Sequence, residues 1–159
     1  MRSTVWGRAD SMPSIDHNAL IETDADRIWD VLKRFGDIAT WHPAIADSRT
    51  EGDLPDGMPG SVRVLRLRDG GALRERLLAI DDPGRSLTYR FDEAPLPVDN
   101  YHLSATVLPV SGGPRGLVRW SARFDVRPGL DPAEQTAILR GLVVGGHDAL
   151  ADFLTSKAT

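Results

Sequence analysis

The stretch DPAEQTAILRGLVVGGHDALADFLTS, residues 131–156, decides the fold. Its first residues suit a helix start, because Asp131 can act as the N-cap, Pro132 fits the first helical position and Glu134 the third. Apolar or small residues then recur at helical spacing: Ile138, Leu139, Leu142, Gly146, Ala149, Leu150 and Phe153. The stretch therefore predicts one long amphipathic helix over Asp131–Ser156.

The part of the chain before this helix, from about residue 45 to residue 127, is typical of antiparallel strands joined by hairpins. Turn signals separate its segments at 53–60, 69–71, 81–84, 94–97 and 111–114. Apolar and polar residues alternate along the segments, most clearly at 87–91, 101–107 and 118–126. This alternation indicates strands with one covered and one solvated face.

The N-terminal region supplies a strand and two short helices. A β-like segment at 15–22 precedes a helix signal at 23–35, and a second short helix or turn is expected at Asp37–Trp41, before Pro43. The complete order predicts an α+β fold with a curved antiparallel sheet of six to seven strands wrapped around the long C-terminal helix. The two short helices lie between strands 1 and 2, and a cavity is expected between the sheet and the long helix.

Composition is that of a soluble globular protein. With 159 residues, 41% of them hydrophobic and 26% charged, the chain is long enough for a sizeable core. We expect residues 1–14 to form a flexible N-terminal leader and residues 15–157 to form a single domain. No stretch approaches the ~18 consecutive apolar residues of a membrane span, and the first fourteen residues contain no signal-peptide core. A cytoplasmic location is therefore the default expectation.

Composition and motifs also exclude several functional classes. The absence of cysteine excludes disulfides, cysteine-based zinc or iron–sulfur sites and thiol nucleophiles. A net charge of −4 disfavours binding to a phosphate backbone. The four histidines lie far apart in sequence, and no HExxH, P-loop, GxGxxG or GxSxG motif occurs. The sequence therefore predicts neither a metal site nor a cofactor.

Several short motifs resemble those of one known superfamily. They are ADRIWDVL at 25–32, FGD at 35–37, WHPAI at 41–45, the stretch from Gly57 to Gly60, RERL at 74–77, and YRF at 89–91 followed by PLP at 95–97 and Tyr101. With these motifs the chain resembles the START-type helix-grip superfamily, also called SRPBCC, and within it the bacterial polyketide cyclase/dehydrase-like proteins. The resemblance covers about residues 15–155. It implies a helix-grip fold with a hydrophobic pocket for a lipid, polyketide, isoprenoid or other small apolar molecule, and no single catalytic signature.

Trp41, His42 and Pro43 form the most distinctive local feature, and the resemblance places them at the pocket mouth. We expect Trp41 to line the ligand site and treat His42 as a candidate catalytic group. The alternative is that Trp41 only packs the helices onto the sheet while His42 is a solvated surface ring.

Glu75 is a second catalytic candidate. Its neighbours at alternate positions, Leu73, Leu77 and Ala79, are apolar and would turn with it into the cavity. A carboxylate buried there needs a hydrogen-bond or arginine partner, or its pKa rises and it becomes neutral. In the competing registry, Glu75 faces water and residues 74, 76, 78 and 80 face the interior.

Five arginines, at 63, 66, 68, 74 and 76, gather on two neighbouring predicted strands. Strand alternation more often makes such a set a solvated outer face, which we expect for most of them. The alternative that stays open is one arginine that turns inward and pairs with Glu75.

The remaining ligand-binding candidates are strand aromatics and one face of the long helix. Tyr89, Tyr101 and Trp120 can wall a pocket while a hydroxyl or indole N–H holds a polar ligand atom, or they can be ordinary core residues. Gly146 shares a helical face with Leu142 and lacks a side chain, so it would leave free volume for a ligand. The alternative for Gly146 is a kink or a close contact between helix and sheet.

These features favour the binding of a small apolar ligand in an enclosed pocket by a carrier, a sensor or an accessory protein. The alternative is a cofactor-free polyketide cyclase or dehydratase that moves protons through Glu75, His42 or a tyrosine of the same pocket. A protein-docking module is least favoured, because no docking motif is apparent. The expected partner is a small apolar molecule, with no nucleic acid and no integral membrane association, and a homodimer is left open.

Overall fold

The computed structural model describes residues 13–156, which form a seven-stranded antiparallel sheet and a long C-terminal helix. The strands are β1 (Ser14–Ile21), β2 (Ile45–Glu51), β3 (Val62–Leu67), β4 (Ala72–Asp81), β5 (Ser86–Glu93), β6 (Val98–Val110) and β7 (Arg115–Val126). The helices are α1 (Ala25–Leu32), a 3-10 helix (Phe35–Thr40) and α2 (Pro132–Thr155). The strand order is β1-β7-β6-β5-β4-β3-β2. This architecture confirms the predicted helix-grip fold, whereas residues 1–12 of the predicted leader lie outside the described residues.

Both α-helices begin where the sequence predicts. The Asp24 carboxylate accepts a hydrogen bond of 2.9 Å from the backbone N–H of Arg27 at the start of α1. The Asp131 carboxylate accepts one of 3.0 Å from the N–H of Ala133 at the start of α2, whose first residue is Pro132. These caps satisfy backbone donors that have no partner inside a helix, so they fix where each helix starts.

The buried face of α2 differs from the predicted one. Ile138, Leu142 and Phe153 of the predicted stripe are 45%, 52% and 41% exposed. The residues that are buried are Gln135, Leu139, Val143, His147, Ala149, Leu150 and Leu154. α2 packs mainly on β1 and β7, so only a narrow stripe of its side chains is buried in that contact. The sequence pattern predicted Leu139, Ala149 and Leu150 of this stripe and missed the other four, two of which, a glutamine and a histidine, are polar.

β4 contains an irregularity that changes which residues face the core. Its pairing with β5 shifts between Leu77 and Ala79, so one strand holds an extra residue there. Before the shift, Glu75 and Leu77 are buried, as the inward registry predicts. After the shift, Ile80 packs against the core and Ala79 is exposed. The expectation that Ala79 faces the interior is therefore wrong, and the competing registry holds only at Ile80.

Gly116 on β7 lets α1 lie directly on the sheet. A Cβ atom at this position would clash with Cδ1 of Ile28 and would lie 3.4 Å from the Cα atom of Ala25. Ile28 is fully buried, so its side chain has little room to move aside. The glycine therefore allows the close approach of α1 to β7.

Gly116→Val is expected to lower the free energy of unfolding by about 1–3 kcal/mol, because the added atoms overpack the contact with α1. The strand propensity of valine alone would predict the opposite, a gain in stability. Gly141→Ala in α2 is the control, because within residues 13–156 no neighbour lies within 4 Å of the added Cβ atom. It should be about 0.5–1 kcal/mol more stable than the wild type. Urea unfolding followed by circular dichroism measures both, and an unchanged stability of Gly116→Val would contradict the close packing.

Candidate ligand-binding site

A cavity of about 560 Å³ lies between α2, the 3-10 helix and the inner face of β3 to β7. It exists because α2 packs mainly on β1 and β7 and leaves the other half of the sheet uncovered. Much of the wall is apolar and includes Ile38, Leu65, Leu73, Phe91, Leu103 and Val143. A cavity of this size and lining suits a small apolar molecule.

All eight site residues predicted from the sequence line this cavity. They are Trp41, His42, Glu75, Tyr89, Tyr101, Trp120, Leu142 and Gly146. They come from the end of the 3-10 helix, from four strands and from α2, which explains why no contiguous motif marks the site. Their contact with a ligand stays a prediction.

Two of the polar residues in the wall form a buried ion pair. Nε of Arg63 on β3 donates to Oε1 of Glu75 on β4 over 3.1 Å, and the two residues are only 5% and 4% exposed. Nη1 of Arg63 also donates to the backbone carbonyl of Phe35 over 2.8 Å. The guanidinium carbon lies 3.9 Å from the centre of the Phe35 ring and 4.8 Å from that of Tyr89. The inward arginine that the sequence left open is therefore Arg63, while the other four arginines of that set are exposed or half-buried.

Burial dominates the protonation of the groups around this pair. It raises the pKa of the Glu75 carboxyl, and the Arg63 guanidinium offsets part of that rise. It also raises the pKa of the Tyr89 and Tyr101 phenols, and the nearby Glu75 carboxylate adds to the rise. Both phenols are therefore uncharged at neutral pH and can donate hydrogen bonds.

Trp41 and His42 lie at the edge of the cavity beside α2. Trp41 is buried, and its ring centre lies 5.6 Å from that of His42. Nδ1 of His42 accepts a hydrogen bond of 3.3 Å from the N–H of Ala44, which leaves the proton of a neutral ring on Nε2. Burial, together with the charge of Arg63, lowers the pKa of His42. His42 is thus a half-buried, neutral wall residue and differs from the solvated surface ring of the alternative.

Gly146 leaves open volume where α2 faces the cavity. Among the described residues, a Cβ atom there would meet only Nε2 of His42, at 3.8 Å. A longer side chain would therefore extend into the cavity. Leu142 lies about one turn earlier at the rim and is half-exposed. α2 runs from Pro132 to Thr155 as one helix, which favours the free-volume interpretation of Gly146 over a kink.

The ring of Trp120 lines the cavity as predicted, but its indole N–H makes a hydrogen bond inside the protein. Its indole Nε1–H donates to Nδ1 of His147 on α2 over 3.0 Å, so this N–H is already used within the protein. His147 is buried, and the ring of His17 on β1 meets it edge-on with ring centres 5.5 Å apart. Burial and then His17 lower the pKa of His147, while the Leu20 carbonyl and Asp148 oppose that shift. The contact ties α2 to β7 beside the cavity.

Residues 12–158 match the protein family described as polyketide cyclase / dehydrase and lipid transport. The chain belongs to this family. Membership confirms the predicted superfamily and supports a ligand-binding fold. No curated protein matches the chain.

Solved structures share the fold of this family member. The protein XoxI from Bacillus cereus is 28% identical, and the alignment covers 93% of this chain and 100% of that chain with a TM-score of 0.79. A protein from Bacillus thuringiensis is also 28% identical, with 87% and 96% of the two chains covered and a TM-score of 0.76. Norcoclaurine synthase from Thalictrum flavum, solved as a point mutant with a transition-state analogue, is 21% identical, with 91% and 94% covered and a TM-score of 0.66. This last likeness shows the fold alone.

Sequence reasoning did not single out Arg63, which lines the cavity, or His147, which joins α2 to β7 beside it. The sequence gives no sure signal for Arg63, because strands paired symmetrically about the predicted turn at 69–71 would place it opposite Leu77. The observed register is centred on Asp69 and places Arg63 opposite Glu75. His147 carries a weak signal, because it continues the four-residue steps of the buried stripe of α2.

Within residues 13–156, no three histidine or carboxylate side chains come together as a metal site requires. No helix of these residues is both long and apolar enough to cross a membrane. The predicted lack of a cofactor stays a prediction.

His147 is expected to make stability depend on pH. Its folded-state pKa lies below the unfolded value of about 6.5, so the folded protein binds fewer protons than the unfolded chain in this range. The contribution of the neutral ring is complete above that value and is lost as the pH falls through the folded-state pKa. We therefore expect the contribution of His147 to the free energy of unfolding to fall between pH 8 and pH 5. This part of the pH dependence should be missing in His147→Asn, whose amide oxygen can still accept from Trp120.

Urea unfolding at the two pH values measures this effect. Gly141→Ala on the exposed face of the same helix is the control and should keep the pH dependence of the wild type, because it changes no titratable group. An equal pH dependence in the wild type and in His147→Asn would contradict the role of the buried ring.

Proposed function

We propose that the protein binds a small, largely apolar ligand in the cavity beside α2, as a carrier, a sensor or an accessory protein. The observation that carries the proposal is the cavity itself, about 560 Å³ of space with a largely apolar wall. Cavities of roughly 300–1,000 Å³ are typical of small-molecule sites. The description of the family, which includes lipid transport, supports the same class of ligand.

In this proposal the two ends of the ligand meet different parts of the wall. The apolar body lies against Trp41, the ring of Trp120 and Leu142, and its burial supplies the driving force for binding. A polar atom of the ligand reaches the side of the cavity that holds Glu75 and Tyr101. A few polar groups in an apolar wall fix the orientation of a ligand.

Gly146→Leu is expected to weaken binding of the neutral apolar dye N-phenyl-1-naphthylamine by about tenfold or more, because the new side chain occupies cavity volume. Gly141→Leu is the matched control, since it makes the same change on the same helix at an exposed position outside the cavity. It should keep the wild-type affinity within about twofold. Fluorescence titration measures both variants, and circular dichroism checks that they fold. Wild-type affinity in a folded Gly146→Leu variant would overturn this placement of the site.

A specific observation also favours a second function, a cofactor-free polyketide cyclase or dehydratase. The Glu75 carboxyl lies in the cavity wall, and burial raises its pKa. A carboxyl group with a raised pKa can exchange protons with a bound carbonyl compound. The ion pair with Arg63 opposes this use, because the guanidinium stabilises the charged form. We therefore rank catalysis second to binding.

Turnover of a poly-β-ketone thioester separates the two functions. If Glu75 transfers a proton, Glu75→Gln should lower kcat by about 10²–10⁴-fold while affinity for the dye changes little. Glu51→Gln is the matched control, because Glu51 pairs with Arg74 away from the cavity and should leave kcat unchanged. No turnover by the wild type, or full turnover by Glu75→Gln, would remove Glu75 as a catalytic residue.

The cellular setting is proposed from composition and the sequence alone. We infer a cytoplasmic protein that binds no nucleic acid, in keeping with its net charge of −4. A homodimer stays an alternative to a monomer.

A further inference from the structure

The charged side chains that line the cavity balance one another. Among the described residues they are Arg63, Arg68, Asp69 and Glu75, two cations and two anions. Glu75 counts as an anion because the Arg63 guanidinium, 3.1 Å away, stabilises the charged form of its carboxylate. Arg68 and Asp69 are exposed at the rim, where solvent screens them, while Arg63 and Glu75 are buried. His42 adds no charge at neutral pH, because burial and Arg63 lower its pKa. The wall as a whole therefore presents no net charge to a ligand.

The buried cation, Arg63, already has hydrogen-bond acceptors within the protein. Arg63 donates to the Glu75 carboxylate over 3.1 Å and to the Phe35 carbonyl over 2.8 Å. A carboxylate ligand beside this pair would bring a second negative charge close to Glu75. The residues that line the cavity in the described chain offer no second buried cation to compensate it. An uncompensated charge in a buried site is strongly disfavoured.

Tyr101 offers the ligand a hydrogen-bond donor that carries no charge. It is buried, and its ring stacks on that of Phe91 with centres 4.1 Å apart, which holds the side chain in place. It lines the cavity on the same side as Tyr89 and Glu75. Burial raises the pKa of the phenol, so the hydroxyl keeps its proton. A phenol hydroxyl can donate to the oxygen of a ketone, an ether or an alcohol.

We propose that the cavity selects ligands whose polar end is an uncharged oxygen, such as an alcohol, a phenol or a ketone, and disfavours carboxylates of the same size. This inference rests on the proposed binding function and names the ligand class within it. The Arg63–Glu75 pair disfavours the negative charge, and the Tyr101 hydroxyl holds the neutral oxygen. These three residues determine the specificity of the site.

Two aromatic probes of similar shape separate charge from size: 2-naphthol, which is uncharged at pH 7.5, and 2-naphthoate, which is charged. Isothermal titration calorimetry with the wild type is expected to give a Kd for 2-naphthol at least about tenfold lower than that for 2-naphthoate. Glu75→Gln leaves Arg63 without its carboxylate, so 2-naphthoate should bind about tenfold or more tightly than to the wild type. Glu51→Gln removes a carboxylate outside the cavity and should keep the wild-type ratio.

Tyr101→Phe tests the second determinant independently. It should weaken 2-naphthol binding by about three- to tenfold, the effect of one hydrogen bond, and leave 2-naphthoate binding unchanged. If Glu75→Gln does not fold, the affinities of the wild type and of Tyr101→Phe for the two probes still test the preference for an uncharged oxygen.

The outcomes distinguish failure of this inference from failure of the proposed binding function. Equal affinity of the wild type for both probes, or tighter binding of 2-naphthoate, would overturn the preference for an uncharged oxygen while the binding function stands. Failure of both probes to bind would contradict the binding function itself and the inference with it.

Discussion

Arg63 and Glu75 face each other across β3 and β4 inside the protein, and the cavity wall is built around this buried ion pair. Two charges withdrawn from water are tolerated only when each finds a partner and further polar contacts. The Phe35 carbonyl and the rings of Phe35 and Tyr89 supply those contacts for the guanidinium. The pair therefore links β3 and β4 to the 3-10 helix and to β5. It also holds the register in which these strands form the wall.

α2 forms the opposite wall of the cavity, and the cavity is open because only a small part of this helix contacts the sheet. Its narrow buried stripe lies on β1 and β7, where Trp120 and His147 join strand and helix through a hydrogen bond of 3.0 Å. On the side that faces the cavity, Gly146 presents no side chain. A tightly packed core would close such a space, because protein interiors normally leave few voids. The polar pair on one wall and the glycine on the other are the two features that keep the site open.

The sequence predicted the order of the elements and eight of the residues that line the cavity, because caps, turn signals and strand alternation act locally. It did not identify Arg63 as the partner of Glu75, because alternation indicates which residues share a face of the sheet and not which of them are paired across strands. The irregularity between Leu77 and Ala79 reverses the alternation halfway along β4, so neither registry holds for the whole strand. Part of the buried face of α2 was missed for a related reason: His147 is polar, and only a tertiary contact with Trp120 makes its burial favourable.

A double-mutant cycle on Arg63 and Glu75, with unfolding free energies measured in urea at pH 8, tests most directly whether the two charges act as one unit. Arg63→Met leaves the carboxylate buried and unpaired, and Glu75→Leu does the same to the guanidinium, so each should cost about 3–5 kcal/mol. The double variant replaces both charges with apolar groups and should be more stable than either single variant. If the losses of the two single variants simply add in the double variant, the residues do not act as a pair, and the wall of the cavity is not built on their interaction.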